Sequence, residues 1–205
     1  VVVKDYFDME IIGKTIDDAA GEAFDKIGKI FGLDYPAGPI IDRLAKLGNK
    51  DAFQFNKPRI ENYNYSFSGI KTSVLYFIQK EVQKNPDFIA ENLNDLCASV
   101  QKTLVEILMN KLEKAAKELN INEVAIAGGV SANSGLREAM QKNAEKLGWN
   151  IYIPKFEYTT DNAAMIAMVA KLKFDRGEFT DLSVSATSRY DIEESFKKEV
   201  VIKDK

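Results

Sequence analysis

The sequence of 205 residues contains no histidine, which removes a His-based triad and a histidine-rich metal site from the chemistry it can host alone. It has one cysteine, Cys97, on the periodic stretch Leu93, Leu96, Cys97, Val100, Leu104. That placement reads as a buried thiol in a reducing compartment. No run of about eighteen apolar residues is present, and the N-terminus lacks a charged-then-apolar signal pattern. The expectation is a soluble, cytoplasmic protein. Lysine plus arginine nearly balances aspartate plus glutamate, leaving a formal charge of -3. No global positive field announces nucleic acid or membrane, so any RNA contact must be local. An initiator methionine is lacking as well: Val1-Val2-Val3 reads as the middle of a strand, and an upstream segment is expected.

What is present suffices for a core. Hydrophobic residues make up 45% of the chain, enough for one large or two small domains. Val1 to Val3 and Met9 to Ile12 read as a hairpin. From Ile16 the positions Ile16, Ala20, Ala23, Phe24, Ile27 and Phe31 follow helical spacing, with Asp17 and Asp18 suited to the helix start. In Tyr35-Pro36-Ala37-Gly38-Pro39 the second proline suits the first position of another helix, carried by Ile40, Ile41, Leu44 and Leu47. Gly48 to Asn64 is an irregular polar excursion. Ser66-Phe67-Ser68-Gly69 caps a helix to about Gln83, and Asn85-Pro86-Asp87 introduces a long helix over Phe88 to Leu119. The pattern then changes to strand Glu123 to Ala127, helix Asn133 to Leu147, strand Asn150 to Ile153 and helix Thr160 to Asp175. That alternation predicts a βαβα unit with parallel strands.

Four local patterns have two readings each. Gly128-Gly129 between a short strand and a helix lets backbone N–H groups approach a phosphate or nucleoside, or is an ordinary turn with Ser131 or Asn133 as N-cap. Asp18, Glu22 and Asp25 share a helix side away from the apolar stripe and could face a ligand, or Glu22 pairs with Lys26 and Asp25 with Lys29. Gly21 and Gly28 share the face of Asp25, and glycine within a helix costs roughly 1 kcal/mol relative to alanine, so something should approach closely there. Thr160-Asp161-Asn162 is a capping cluster, Thr160 or Asp161 satisfying the first N–H groups, or it presents a metal-binding carboxylate. Ser66 to Thr72 offers capping hydroxyls or an anion site.

Together, Ile16 to Lys26, Tyr35 to Pro39, Ser66 to Thr72, Ala127-Gly128-Gly129-Val130-Ser131-Ala132-Asn133 and Thr160 to Ala167 resemble the TsaD family, once called glycoprotease, over about residues 1 to 190. The resemblance implies an α/β, actin-like (ASKHA, RNase H-like) ATPase lobe with extra helices inserted. Residues 1–177 would be the C-terminal lobe with a helical insertion around 35–119, and residues 178–205 a tail. The N-terminal lobe, with its phosphate-binding loop and a pair of metal-binding histidines, would lie upstream. The implied activity is transfer of a threonylcarbamoyl group from threonylcarbamoyl-adenylate to the adenosine beside the tRNA anticodon, with this chain inactive alone. The alternatives are a metal-dependent O-sialoglycoprotein endopeptidase and a non-catalytic nucleotide-binding scaffold. By resemblance, Asp25, Gly38, Gly128, Gly129 and Asn133 would contact the nucleotide, ATP or threonylcarbamoyl-adenylate. Asp161 would be a ligand of one divalent metal, iron or zinc. Implied partners are tRNA, a related scaffold subunit (TsaB-like) and a small ATPase (TsaE-like); self-association of the chain is the other expectation. Two departures stand out: Ala37 replaces a usual second glycine, and Arg189-Tyr190 stands where an Arg-Trp pair is common.

Overall fold

The protein's structure, a computed structural model, describes residues 1–186; Arg189 and the end of the expected tail lie outside them. The described chain is mixed α/β and divides into two compact units. Val1–Gly13 with the residues from Asp161 onward form one, and Lys14–Thr160 form the other. The expected boundary at residue 177 falls inside the first of these.

In Lys14–Thr160, helix α1 (Ala20–Ile30) buries Ala23, Phe24 and Ile27, with Phe31 buried just beyond it. It begins later than the expected Ile16, because Thr15 Oγ1 donates to the Asp18 carbonyl at 2.8 Å and the backbone of Ile16 bonds to Tyr65. Residues 15–18 are thereby turned out of helical register, and Ile16 is exposed. Helix α2 (Ala37–Ala45) starts two residues before Pro39, which lies third in the helix, where a missing N–H costs no intrahelical bond. Helix α3 spans Ser68–Lys84 and helix α4 Phe88–Leu119, the latter with the expected bounds. Asn120, in left-handed conformation (φ 54°), ends α4.

The excursion after Gly48 is irregular but pinned along α4. The Asp95 carboxylate accepts from Asn49 N–H at 2.7 Å and Ser99 Oγ accepts from Phe53 N–H at 3.1 Å. Further along, Lys57 pairs with Glu106, Lys111 Nζ donates to the carbonyls of Ile60 and Asn62, and Tyr63 donates to Glu118 at 2.6 Å. One polar row of α4 thus satisfies a segment without secondary structure. Its rings turn inward, Phe53 lying 5.3 Å from Phe77 and 5.8 Å from Phe88.

Strands β3 (Glu123–Ala125) and β4 (Asn150–Tyr152) pair in parallel, Val124 opposite Ile151, with α5 (Ser134–Leu147) between them in sequence. Both strands are shorter than expected, but the parallel pairing is found. Two apolar clusters result. One joins α1, α2, α3 and the first half of α4; the other joins Val105, Met109 and Ala116 of α4 to Val124, Leu136, Met140 and Trp149. Leu108 and Val130 pack against both. Cys97 is fully buried, and burial pushes its thiol up to about 12.

In the other unit, β1 (Val2–Asp5) and β2 (Asp8–Glu10) form the expected hairpin, Val3 opposite Met9. Helix α6 runs over Ala163–Asp175. It starts later than the expected Thr160, and its N-cap is neither Thr160 nor Asp161. Asn162, with extended backbone, accepts from Met165 N–H at 3.1 Å. None of the helix's residues is buried.

Candidate functional site

Helix α1 organises the neighbourhood of the expected nucleotide residues in Lys14–Thr160. Gly21, Asp25 and Gly28 share one face at spacings of four and three residues. Each meets a different partner. A Cβ on Gly28 would stand 2.2 Å from the Ala37 Cβ, so Gly28 lets α2 lie directly on α1. A Cβ on Gly21 would stand 3.6 Å from Cγ2 of Val130, in the loop after β3. Asp25 lies between them. Its Oδ1 accepts from Ala37 N–H at 2.8 Å and Gly38 N–H at 3.4 Å, capping α2 from another helix. The ion pair of Asp25 with Lys29 does not form: Asp25 is taken by α2, while Lys26 bridges Asp18 at 2.7 Å and the expected Glu22 at 2.8 Å. The close approach that the two glycines signalled is thus made by α2 and by the glycine loop.

In that loop Gly128 takes a positive φ of 78°, a conformation L side chains rarely adopt, and beyond the adjoining residues no heavy atom lies within 4 Å of where a Cβ on Gly128 or Gly129 would sit. Backbone is therefore presented openly at the end of β3. Gly129–Ala132 forms one 3₁₀ turn, closed by Ser131 Oγ donating to the Gly128 carbonyl at 2.6 Å. Asn133 is the N-cap of α5. Its Oδ1 accepts from Leu136 N–H at 3.0 Å, and its Nδ2 donates to Oε1 of Gln101 on α4 at 2.7 Å. Buried to 8% exposure, it has both ends of its amide engaged by protein. Asp42 of α2 adds a second clamp, accepting from Ser134 N–H and Oγ at 3.0 and 2.7 Å.

An open pocket of about 410 Å³ lies beside the loop, lined by Ala20 and Gly21 of α1, Tyr65, Leu112 of α4, and Gly128 and Gly129. Its walls are mostly apolar. Asp25, Gly38 and Asn133 are not in its lining. They adjoin it through α1 and α5, Asp25 standing one turn from Gly21.

The N-terminus of α3 has no room for an anion: Asp17 Oδ1 accepts from the N–H groups of Phe67 and Ser68, at 2.7 and 3.3 Å, and Ser66 Oγ donates to Oδ2. Burial opposes the Asp17 charge, but these bonds and one from Asp18 N–H outweigh it and hold the carboxyl below its ordinary value. Sequence reading missed Asp17, Asp42 and Gln101 in these roles. Asp17 was expected at the start of α1 and serves α3 instead, while Gln101 stood out as a polar residue at the helical spacing of Cys97 and Leu104.

Asp161 is exposed, two residues before the first residue of α6. Among the described residues no three of His, Cys, Asp and Glu come together as a metal site. The residues present therefore do not by themselves fit the metal that the resemblance implies. Among the same residues no helix is long and apolar enough to cross a membrane.

The described chain is α/β and presents open glycine backbone at a strand end, braced by capped helices, a geometry that lets another group approach the main chain closely. Comparison with known proteins is more specific. The family described as "TsaD: tRNA N6-adenosine threonylcarbamoyltransferase" matches residues 1–168, and the chain belongs to it. Proteins named tRNA N6-adenosine threonylcarbamoyltransferase from Riemerella anatipestifer, Phocaeicola vulgatus and Thermosipho africanus are 76%, 58% and 48% identical to it. The matches cover 94%, 94% and 91% of this chain and 56%, 57% and 56% of those relatives. The chain thus spans about half the length of the curated relatives it matches.

Proposed function

We propose that the protein containing this chain transfers a threonylcarbamoyl group from threonylcarbamoyl-adenylate to the adenosine beside the anticodon of tRNA, and that this chain supplies one wall of the nucleotide site within an actin-like ATPase fold. The observation that carries this reading is 76% identity, across nearly the whole chain, to a relative bearing that activity in its name. The glycine loop supports it, since its exposed backbone and the adjoining apolar pocket suit an adenine ring.

In the reaction, the adenosine N6 forms a bond to the carbamoyl carbon, the bond from that carbon to the adenylate oxygen breaks, AMP leaves, and N6 gives up one proton. The chain's own residues bind and orient. Gly128 and Gly129 place backbone against the nucleoside, Asp25 fixes the first turn of α2 so that Gly38 keeps its place beside α1, and Asn133 with Gln101 holds the exit of the loop. Asp161 is proposed as one ligand of a metal site completed by residues beyond this chain. The same reading makes tRNA, a TsaB-like scaffold subunit and a TsaE-like ATPase the partners, in the cytoplasm.

The test supplies full-length protein with its partner subunits, threonylcarbamoyl-adenylate and unmodified tRNA, and weighs the digested nucleosides by mass spectrometry. The expected result is a threonylcarbamoyl-adenosine product that is lost with Gly129→Val. No product from the complete wild-type system overturns the reading.

A further inference from the structure

Arg137 lies in the first turn of α5, where the helix dipole disfavours a cation, yet it carries a set of contacts that no capping role requires. Its Nε donates to the Ser131 carbonyl at 2.7 Å and its Nη2 to the Pro154 carbonyl at 2.7 Å. The guanidinium lies 4.1 Å from the centre of the Phe156 ring. Ser131 is 1% exposed and closes the glycine loop onto the Gly128 carbonyl. Pro154 and Phe156 follow β4, and their segment continues through a 3₁₀ turn to Thr159, which is 5% exposed and donates to the Phe156 carbonyl at 2.8 Å. One side chain therefore spans two loops that the parallel strands deliver to the same sheet end.

We propose that Arg137 is a positioning residue that makes the glycine loop (128–133) and the segment 154–159 one mechanical body, so that a nucleoside or nucleotide seated on the loop also orders the segment leading to Asp161. The ligand part rests on the function proposed above; the mechanical coupling does not. The two donors must lie in one plane to reach two carbonyls while the flat face covers an aromatic ring, which a guanidinium does and an ammonium does not. Lysine keeps the charge and serves one carbonyl at a time, so charge and bridge are separable by substitution.

The experiment measures amide hydrogen exchange and ATP affinity by calorimetry in the full-length protein, for wild type, Arg137→Lys and Arg137→Gln. Without ligand, Arg137→Gln is expected to speed exchange in 128–133 and 154–159 together, with Arg137→Lys between it and wild type. ATP is expected to slow exchange in both segments of wild type but only in 128–133 of Arg137→Gln, whose Kd rises about tenfold, the worth of one charge-assisted hydrogen bond. A residue that merely stabilises the fold would lower the melting temperature and leave the ATP response of 154–159 intact, and that result overturns the proposal. So does unlinked exchange of the two segments without ligand. Failure of wild type to bind ATP would instead count against the nucleotide reading, while the ligand-free comparison still decides the coupling.

Discussion

The two units treat similar apolar side chains in opposite ways. In Lys14–Thr160, Ile27, Ile41, Ile70, Leu96 and Leu104 are completely buried. In the unit built from the two ends of the described chain, Met165, Ile166, Met168 and Val169 of α6 are 48%, 74%, 62% and 48% exposed, and Phe174, Phe179 and Leu182 are exposed beyond them. Composition therefore does not separate the units; partners do. Four of the five helices in the larger unit close on one another, whereas the described residues of the smaller unit offer its helix only a short hairpin.

The largest expected effect sharpens this contrast. Leu104→Ala should destabilise the chain by about 2–5 kcal/mol, through lost transfer energy and the cavity left behind. Ile166→Ala should change stability by no more than about 0.5 kcal/mol. Urea titrations followed by Trp149 fluorescence for the first, and by exchange of α6 amides for the second, provide the comparison. A cost above about 2 kcal/mol for Ile166→Ala would break it, because that side chain would then be covered in solution.

Within α1 the next effect is of opposite sign at two glycines. Gly28→Ala drives a methyl to 2.2 Å from Ala37, and α2 cannot give way without losing the Asp25 cap, so a loss of about 1–3 kcal/mol is expected. Gly21→Ala meets Val130 at an ordinary 3.6 Å, and the helix gains up to about 1 kcal/mol from propensity. Thermal melts of the two variants should move to opposite sides of wild type; a shift of both in one direction sinks the assignment.

These glycines show what was legible in the sequence. Their cost inside a helix was visible, and so was the inference of a close approach. The partner was not visible, since Ala37 and Val130 are specified by the packing of other helices. Helix α4 was read with its observed bounds because its start carries a local signal, Asn85-Pro86-Asp87. Asp17 and Asp25 were misread, and Asp42 was passed over, for the converse reason. Helical spacing names only neighbours within about one turn, while Asp17, Asp25 and Asp42 accept from residues 50, 12 and 92 positions away. Of the residues expected to meet a nucleotide, the glycine loop was legible as open backbone at a strand end. The engagement of Asn133 by Gln101 lay beyond any local pattern.

Asp17 gives a pH-dependent version of the comparison, because the larger unit uses aspartates where the smaller uses a surface pair. Its folded pKa lies below the unfolded value near about 3.9, so its stabilisation is complete above that value and lost as pH falls through the folded one. Asp17→Asn should cost up to about 1 kcal/mol at pH 7, modest because the site is solvent-screened. The difference from wild type should shrink toward zero in acid. Denaturant midpoints at pH 7 and pH 3 check this, and a difference that grows on acidification would reverse the sign.

The smallest effect belongs to the smaller unit, where among the described residues an ion pair joins hairpin and helix across 171 positions. Arg176 Nη2 stands 2.9 Å from Asp5 Oδ2, and the two side chains are 42% and 59% exposed. Water therefore competes at both ends of the pair, and exposed pairs contribute little after their side-chain entropy is counted. The guanidinium also lies 4.2 Å from the centre of the Phe7 ring, so removing the Asp5 charge leaves it with an aromatic partner. Asp5→Asn should accordingly change the exchange rates of α6 amides by less than about twofold, equivalent to under about 0.5 kcal/mol. Phe7→Leu in the same background should add a change of similar size, because the ring also faces Lys173, whose Nζ lies 5.9 Å from its centre. A tenfold acceleration from Asp5→Asn alone would show that the pair, rather than burial elsewhere, holds the hairpin to α6, and the contrast between a unit kept by its core and one whose described helix is exposed would have to be redrawn around that contact.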